Sequence, residues 1–343
     1  MTFTGPSADE RRRWRELVGD PAAHDEIASG LACLTQTDVE PTVDPVVASG
    51  WLRLAVWNIE RGRDPEAIAA LIASSGADAA LLSEVDLGMA RTRNRDVARE
   101  LGRELRMGSV YAIEYVELSL GKEADLVGIT ETENDVGLHG NAVLGRMPLL
   151  RPGVVRLDRG GRWFNEVLGE PRVGGQIVVL STIELDGSAV ELASVHLESH
   201  SDASDRAAQF TAALDAIDAR STGPAVIAGD LNTFGAEIGE LADRTTLRRL
   251  LETEPGRFSW PATHEALFDV AAARGYDWID CNVAAPTTRH APDGSPHHIP
   301  IKLDWILVRG LEARRPTVVP ALGPDGTTLS DHELLAVSVR LPQ

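Results

Sequence analysis

Cysteine is almost missing from this chain. Two occur in 343 residues, Cys33 and Cys281, too few for a disulfide framework or a thiolate metal site. They read as buried or idle thiols. Positive charge is also scarce. Lysine and arginine number 33 against 52 acidic residues, a formal net charge of -19. Such a surface repels nucleic-acid backbones and anionic membranes, which lowers the expectation of a duplex-binding protein. No apolar run approaches the roughly 20 residues of a membrane span. The opening "MTFTGPSADERRRWREL" has no apolar core of a secretory signal. No internal repeat or low-complexity tail is present. The expectation from these absences is a cytoplasmic protein without a membrane span.

What is there is a globular composition, 43% hydrophobic, enough for a large core. Residues 1–50 read as an N-terminal helical extension and polar linker. "ADERRRWRELV" suits a helix charged around most of its surface, and "LTQTDVEPTVDPVVASG" follows with two prolines. From residue 51 the pattern changes. "LRLAVWNIE" and "ADAALLSEVD" are apolar strands flanking a helix that starts near Pro65 and stops at Gly76. Further strands, "NAVLGR", "QIVVLSTIEL" and "AVELASVHLES", precede the helical "SDRAAQFTAALDAIDARS". "PAVIAGDLN", "LDWILVRG" and "SDHELLAVSVRL" complete the set. Strands and helices mix without strict alternation, so residues 51–343 read as one α/β or α+β domain with mixed sheets.

Several of these strands stop at a residue that a core would not want. Asn58 ends one, with Glu60 beyond it, and Glu84 ends another. His196 and Asp230 end two more; Asn232 shares the side of Asp230, because side chains alternate along a strand. Asp304 lies inside "IKLDWIL", and Asp331 and His332 open the last strand. Burying a carboxylate costs several kcal/mol unless it is paired or metal-bound. One shared site at a sheet edge, holding a divalent cation, explains the repetition. Oxygen donors with amides and imidazoles suit Mg²⁺, with Mn²⁺ as an alternative, and do not suit structural zinc. Within such a site Asp230 can orient and deprotonate a water. Asn232 can hold that water or a phosphate oxygen. Asp304 and His332 can pair as orienter and base.

Taken in order, "VWNIE", "LLSEVD", "GNAVLGRMPL", "SVHLES", "GDLNT", "KLDWILV" and "SDHELL" resemble the endonuclease/exonuclease/phosphatase superfamily across residues 51–343. The resemblance implies a four-layer α/β sandwich, two mixed β-sheets face to face with helices outside. It implies Glu84 as the main metal ligand, with Asn58 assisting and Asp331 beside the metal or its water. It implies Asp230 as activator of the attacking water and Asn232 on the phosphate. His196 and His332, the latter oriented by Asp304, would donate to phosphate oxygens. Asn141 would line the site. The implied activity is Mg²⁺-dependent hydrolysis of a phosphoester substrate by in-line attack of water. The charge favours a small or lipid-like mono- or diester. A nuclease acting on DNA or RNA is the alternative, and a silent binding protein on this fold is another. The histidine in "SVHLES" departs from the apurinic-endonuclease pattern.

Other residues read more plainly. Glu60 is either a supporting group or a partner of Arg61 or Arg63. Arg91, Arg93 and Arg95 suit a solvated loop from which one could reach a phosphate. The stretch from Arg146 to Arg172 is locally basic and reads as an ordinary loop or an anion-receiving surface. His290, His297 and His298, in a Pro/Gly-rich loop, read as exposed, with a second metal there the sharper alternative.

Overall fold

Strand β2 (Leu52–Arg61) shows how the layers arise. Leu54 and Val56 face one way, Ala55, Trp57 and Ile59 the other, and all are fully buried. A strand apolar on both faces needs cover on both. The first face joins a core between two sheets, and the second joins a core beneath helices. Each fully buried Leu, Val or Ile contributes about 1.5–3 kcal/mol. The computed structural model describes residues 3–158, 160–236, 240, 243–289 and 300–343.

The first sheet collects β1 (Thr37–Glu40), β2, β3 (Ala79–Leu87), β4 (Gly108–Glu117), β5 (Leu138–Gly145), β7 (Arg172–Gly174), β12 (Glu312–Val319) and β13 (Leu334–Arg340). Its order is β1-β4-β5-β3-β2-β13-β12, with β7 also on β4. The second sheet takes β6 (Leu150–Arg156), β8 (Ile177–Leu185), β9 (Ser188–His196), β10 (Ala225–Asp230) and β11 (Asp304–Arg309), in the order β11-β10-β9-β8-β6. Both are mixed: β2 and β3 run parallel, as do β9 and β10, while their other neighbours run antiparallel. Leu54, Val56, Leu81 and Val143 of the first sheet meet Val179, Leu192, Val226 and Ile306 of the second. Helices α3 (Pro65–Ser74) and α4 (Val97–Leu105) cover one outer face. Helices α5 (Ala203–Asp218) and α8 (Leu267–Ala273) cover the other, over Phe210, Phe268 and Trp305. The short α6 (Arg244–Thr253) and α7 (Pro255–Ser259) close a satellite cluster around Leu250 and Phe258. This is the expected four-layer α/β sandwich.

Residues before β2 are built into this frame. Helix α1 (Ala8–Arg15) starts at Ser7, whose hydroxyl forms a capping box with Glu10. Its Arg11 is buried and donates to the carbonyls of Pro6 and Val136, both at 2.7 Å. After α2 (Pro21–Gly30) the segment read as linker turns into β1, an edge strand paired with Ser109–Ala112 of β4. Phe3, Cys33 and Leu34 are buried in the core under the first sheet. Two helices lie in this segment, and the stretch read as linker carries a strand of the sheet. Burial raises the thiol pKa of both Cys33 and Cys281.

Candidate active site

Two backbone devices bring the polar strand ends together. The first is register. Asp230 lies opposite His196 on its parallel neighbour β9 and opposite Asp304 on its antiparallel neighbour β11. Glycine makes the close approach feasible: a Cβ on Gly229 would sit 1.9 Å from the carbonyl oxygen of Val195. The second device is a pair of bulges. The β2–β3 ladder slips between Asn58 and Arg61, and the β3–β5 ladder slips between Leu82 and Val85. Bulges of this kind re-aim side chains beside functional sites. Here Glu60, Arg61, Glu84 and Asn232 all hold positive φ, at 42°, 80°, 57° and 48°. Each such residue costs of order 1–3 kcal/mol, and clusters of them mark functional sites.

The convergence centres on Asp230, only 2% exposed. His196 and His332 each bring Nε2 to 3.7 Å from its Oδ2. Each imidazole is held from behind by a buried carboxylate: His332 Nδ1 lies 2.8 Å from Asp304 Oδ2, and His196 Nδ1 lies 3.3 Å from Glu114 Oε2. Burial alone would lower the pKa of both rings. Asp304, Asp230 and Asp331 outweigh it and hold His332 well above the ordinary value. Glu114 and then Asp230 raise that of His196. Burial raises the pKa of Asp230, and the facing His332 opposes that shift. The arrangement favours two protonated imidazoles around one carboxylate.

Asn58 is fully buried, and its Nδ2 donates to Glu84 Oε1 at 3.0 Å and to Asp230 Oδ2 at 3.1 Å. It thus joins the two carboxylates. Its Oδ1 accepts from the backbone N–H of Glu60. Glu84 opens partly to the cleft and pairs with Arg61. Asn232 donates its backbone N–H to Asp230 Oδ1 and its Nδ2 to the carbonyl of Leu197. Glu60 accepts from the backbone N–H of Asp331 at 3.0 Å. Burial first, and Asp331 second, push its pKa up to about 7. Glu60, Glu84, Asp230, Asn232, Asp331, His196 and His332 line a cleft of about 410 Å³. Asn141 is not among the residues lining the cleft; it is fully buried, with neither amide atom hydrogen-bonded. An orphaned pair of this kind is what a water or ligand would satisfy.

Sequence reasoning missed Glu114 and Glu170, and offered Arg61 as a partner of Glu60 where it pairs with Glu84. Glu114 is part of an unbroken buried strand, and its only signal is a carboxylate amid "YAIEYVE". Arg91, expected in a solvated loop, is fully buried, held by Asp86 at 2.8 and 2.9 Å and by Glu170 at 2.8 Å. Arg95 pairs with Glu66 and Glu100 on the surface. Within the basic stretch, Arg156 is spent on the carbonyls of Ile113, Glu114 and Gly175. Arg172 reaches the cleft. Arg159, His290, His297 and His298 lie outside the described residues. Among the described residues no helix is long and apolar enough to cross a membrane.

Residues 55–332 match the model of the endonuclease/exonuclease/phosphatase family, and the chain belongs to that family. Its members are generally hydrolases of phosphoesters and generally depend on a divalent metal. Solved structures share the fold. One is an endonuclease/exonuclease/phosphatase from Beutenbergia cavernae DSM 12333, at TM-score 0.58 and 21% identity, covering 85% of this chain and 72% of that one. A functionally unknown conserved protein from Enterococcus faecalis V583 aligns at TM-score 0.56 and 16% identity, covering 85% of this chain and 100% of its own. The endonuclease/exonuclease/phosphatase from Bacteroides vulgatus gives 0.51 and 15%, with 85% and 100% covered. No curated protein matches the chain by sequence.

Proposed function

We propose that this protein is a Mg²⁺-dependent phosphohydrolase that attacks a phosphoester in line with a water activated by Asp230. The observation that carries the reading is the pair of carboxylate-backed histidines, His196–Glu114 and His332–Asp304, both 3.7 Å from Asp230. Two imidazolium donors flanking a carboxylate suit a transferring phosphoryl group, whose charge is spread over its outer oxygens. Asp230 accepts the proton of the attacking water. Asn232, with one N–H of Nδ2 held by Leu197, keeps its other N–H and its oxygen to hold that water or a phosphate oxygen.

The donor set fits a hard divalent cation. Glu60, Glu84, Asp230 and Asp331 line one cleft, and carboxylate oxygens are the ligands such a cation takes. Glu84 is the principal ligand in this reading, with Asn58 and Asp331 beside it. Bound there, the cation would polarise the phosphoryl oxygens and stabilise the leaving oxygen. Asp230, Asp304 and His332 also offer ligand atoms within 4.8 Å of one another. We assign them to proton handling, because His332 Nδ1 and Asp304 Oδ2 are already hydrogen-bonded to each other.

The substrate class is a small or lipid-like phosphate mono- or diester. A cleft of about 410 Å³ suits a small ligand, and the net charge of -19 opposes duplex nucleic acid. The reading places the protein in the cytoplasm. The test is turnover of a generic diester, a generic monoester and single-stranded DNA, with Mg²⁺ or with EDTA, beside Asp230→Ala. Metal-dependent cleavage of a small ester that the substitution removes supports the reading. Cleavage of single-stranded DNA alone would move it to a nuclease, and metal-independent cleavage would sink it.

A further inference from the structure

Lys122, Arg172, Ser199 and His200 share the lining of the cleft with the candidate catalytic residues. Arg172 is nearly buried, with its guanidinium stacked 4.5 Å from the Trp163 ring centroid and 4.8 Å from that of Tyr115. His200 stands edge-on to the other part of this wall, 4.9 Å from Trp163, with its side chain 48% exposed. Lys122 is 53% exposed, and among the described residues its Nζ pairs with Glu170 alone. That carboxylate is already shared with Arg61, Arg91 and Arg172. A fourth cation on one carboxylate gains little from it.

Other carboxylates lie nearby, and Glu117 pairs with Arg172 at 3.5 Å. Glu198 accepts from the Trp163 indole N–H at 3.1 and 3.2 Å and from the His200 backbone N–H at 2.8 Å. Asp125 pairs with Arg63, and Asp205 with Arg162. After burial itself, the positive charges of Lys122, Arg162 and Arg172 hold the His200 pKa down against Glu198. In a chain of net charge -19, Lys122 and His200 keep half-exposed side chains on the lining of the cleft. A cation with weak partners gains when an anion arrives.

We infer that Lys122, Ser199 and His200, backed by Arg172 on Trp163, form a second anion subsite that holds an acidic group of the substrate remote from the bond cleaved. The subsite rests on the phosphohydrolase reading above and narrows its substrate to small phosphoesters with an additional phosphate or carboxylate. Lys122 supplies charge, Ser199 and His200 supply directed hydrogen bonds, and the Arg172–Trp163 stack keeps the wall rigid.

The test is calorimetric binding of three non-hydrolysable probes to the full chain with Mg²⁺: propylphosphonate, phosphonopropionate and trimethylene bisphosphonate. The first occupies the catalytic end only, and the other two add a carboxylate or a second phosphonate. One added charge-assisted contact should tighten binding about tenfold. In wild type at least one di-acid should therefore bind about tenfold tighter than propylphosphonate, and the tighter of the two names the second group. Lys122→Ala with His200→Ala should bring that ratio to about one while propylphosphonate affinity stays unchanged, and Lys122→Arg should keep the ratio. Equal affinities in wild type, or a ratio that survives the double substitution, would overturn the subsite. Loss of propylphosphonate binding in wild type would instead overturn the catalytic reading beneath it.

Discussion

Asp230 is the residue on which the candidate chemistry turns. Asp230→Ala should lower turnover by at least about 10²–10⁴-fold, the usual contribution of a positioned general base, with circular dichroism unchanged. A variant near the wild-type rate would remove it as the water's activator. Glu114 acts one step further out. Its carboxylate holds His196 as Asp304 holds His332. Glu114→Gln should reduce kcat about 10–100-fold, the usual effect of removing the group behind a working histidine, with KM little changed. A raised KM with kcat unchanged would instead mark a substrate-binding role. Glu84→Ala should weaken Mn²⁺ binding measured by calorimetry. An unchanged Mn²⁺ isotherm would remove Glu84 from the metal's ligands.

At the level of elements, the geometry of the candidate site depends on how closely strands approach. Gly229 and Gly140 precede Asp230 and Asn141, and a Cβ at either would meet a neighbouring strand's carbonyl oxygen at 1.9 Å. Gly229→Ala should therefore part β10 from β9, separating Asp230 from His196. A loss of about 1–3 kcal/mol, typical of overpacking, and a larger fractional loss of turnover should appear together in denaturation and rate measurements. The N-terminal elements pose a similar question. Deleting residues 1–50 strips β1 from β4 and uncovers the core around Phe3 and Leu34. An exposed sheet edge invites association. The truncated chain should melt lower and scatter light at concentrations where the full chain does not. A truncation with the full chain's melting temperature would show the segment to be an independent appendage, as its charge pattern suggested.

For the whole molecule, stability is tied to charge placed inside it. Glu170 is buried against Arg61, Arg91, Arg172 and Lys122. Burial works against its ionisation, yet these cations hold its pKa far below the ordinary carboxylate range. As pH falls the unfolded chain takes up this proton first, near about pH 4.3. The contribution of these ion pairs is thus complete above that value and is lost as pH falls toward the folded pKa. Glu170→Gln should flatten the acid limb of the stability curve, as read from chemical denaturation at successive pH values. Wild-type steepness in the variant would assign that limb to other carboxylates.

Much of this protein follows from its sequence alone. Apolar strands in mixed order with helices already read as one α/β or α+β domain with mixed sheets, and the family resemblance implied the four-layer sandwich. Polar residues at the ends of those strands already marked the site, because a core excludes unpaired carboxylates and amides. Asn58, Glu84, His196, Asp230, Asp304 and His332 could be named for that reason. Tertiary structure alone decided who faces whom. Glu114 meets His196 across 82 residues of chain, and nothing local separates it from an alternating strand. Arg91 looks like one more loop cation until Asp86 and Glu170 enclose it. The segment before β2 reads as linker because four residues of edge strand carry too short a pattern to signal pairing, and their hydrogen bonds exist only once β4 is beside them. Local pattern reports which face a residue needs. Register and sheet packing, which are long-range, select its partner.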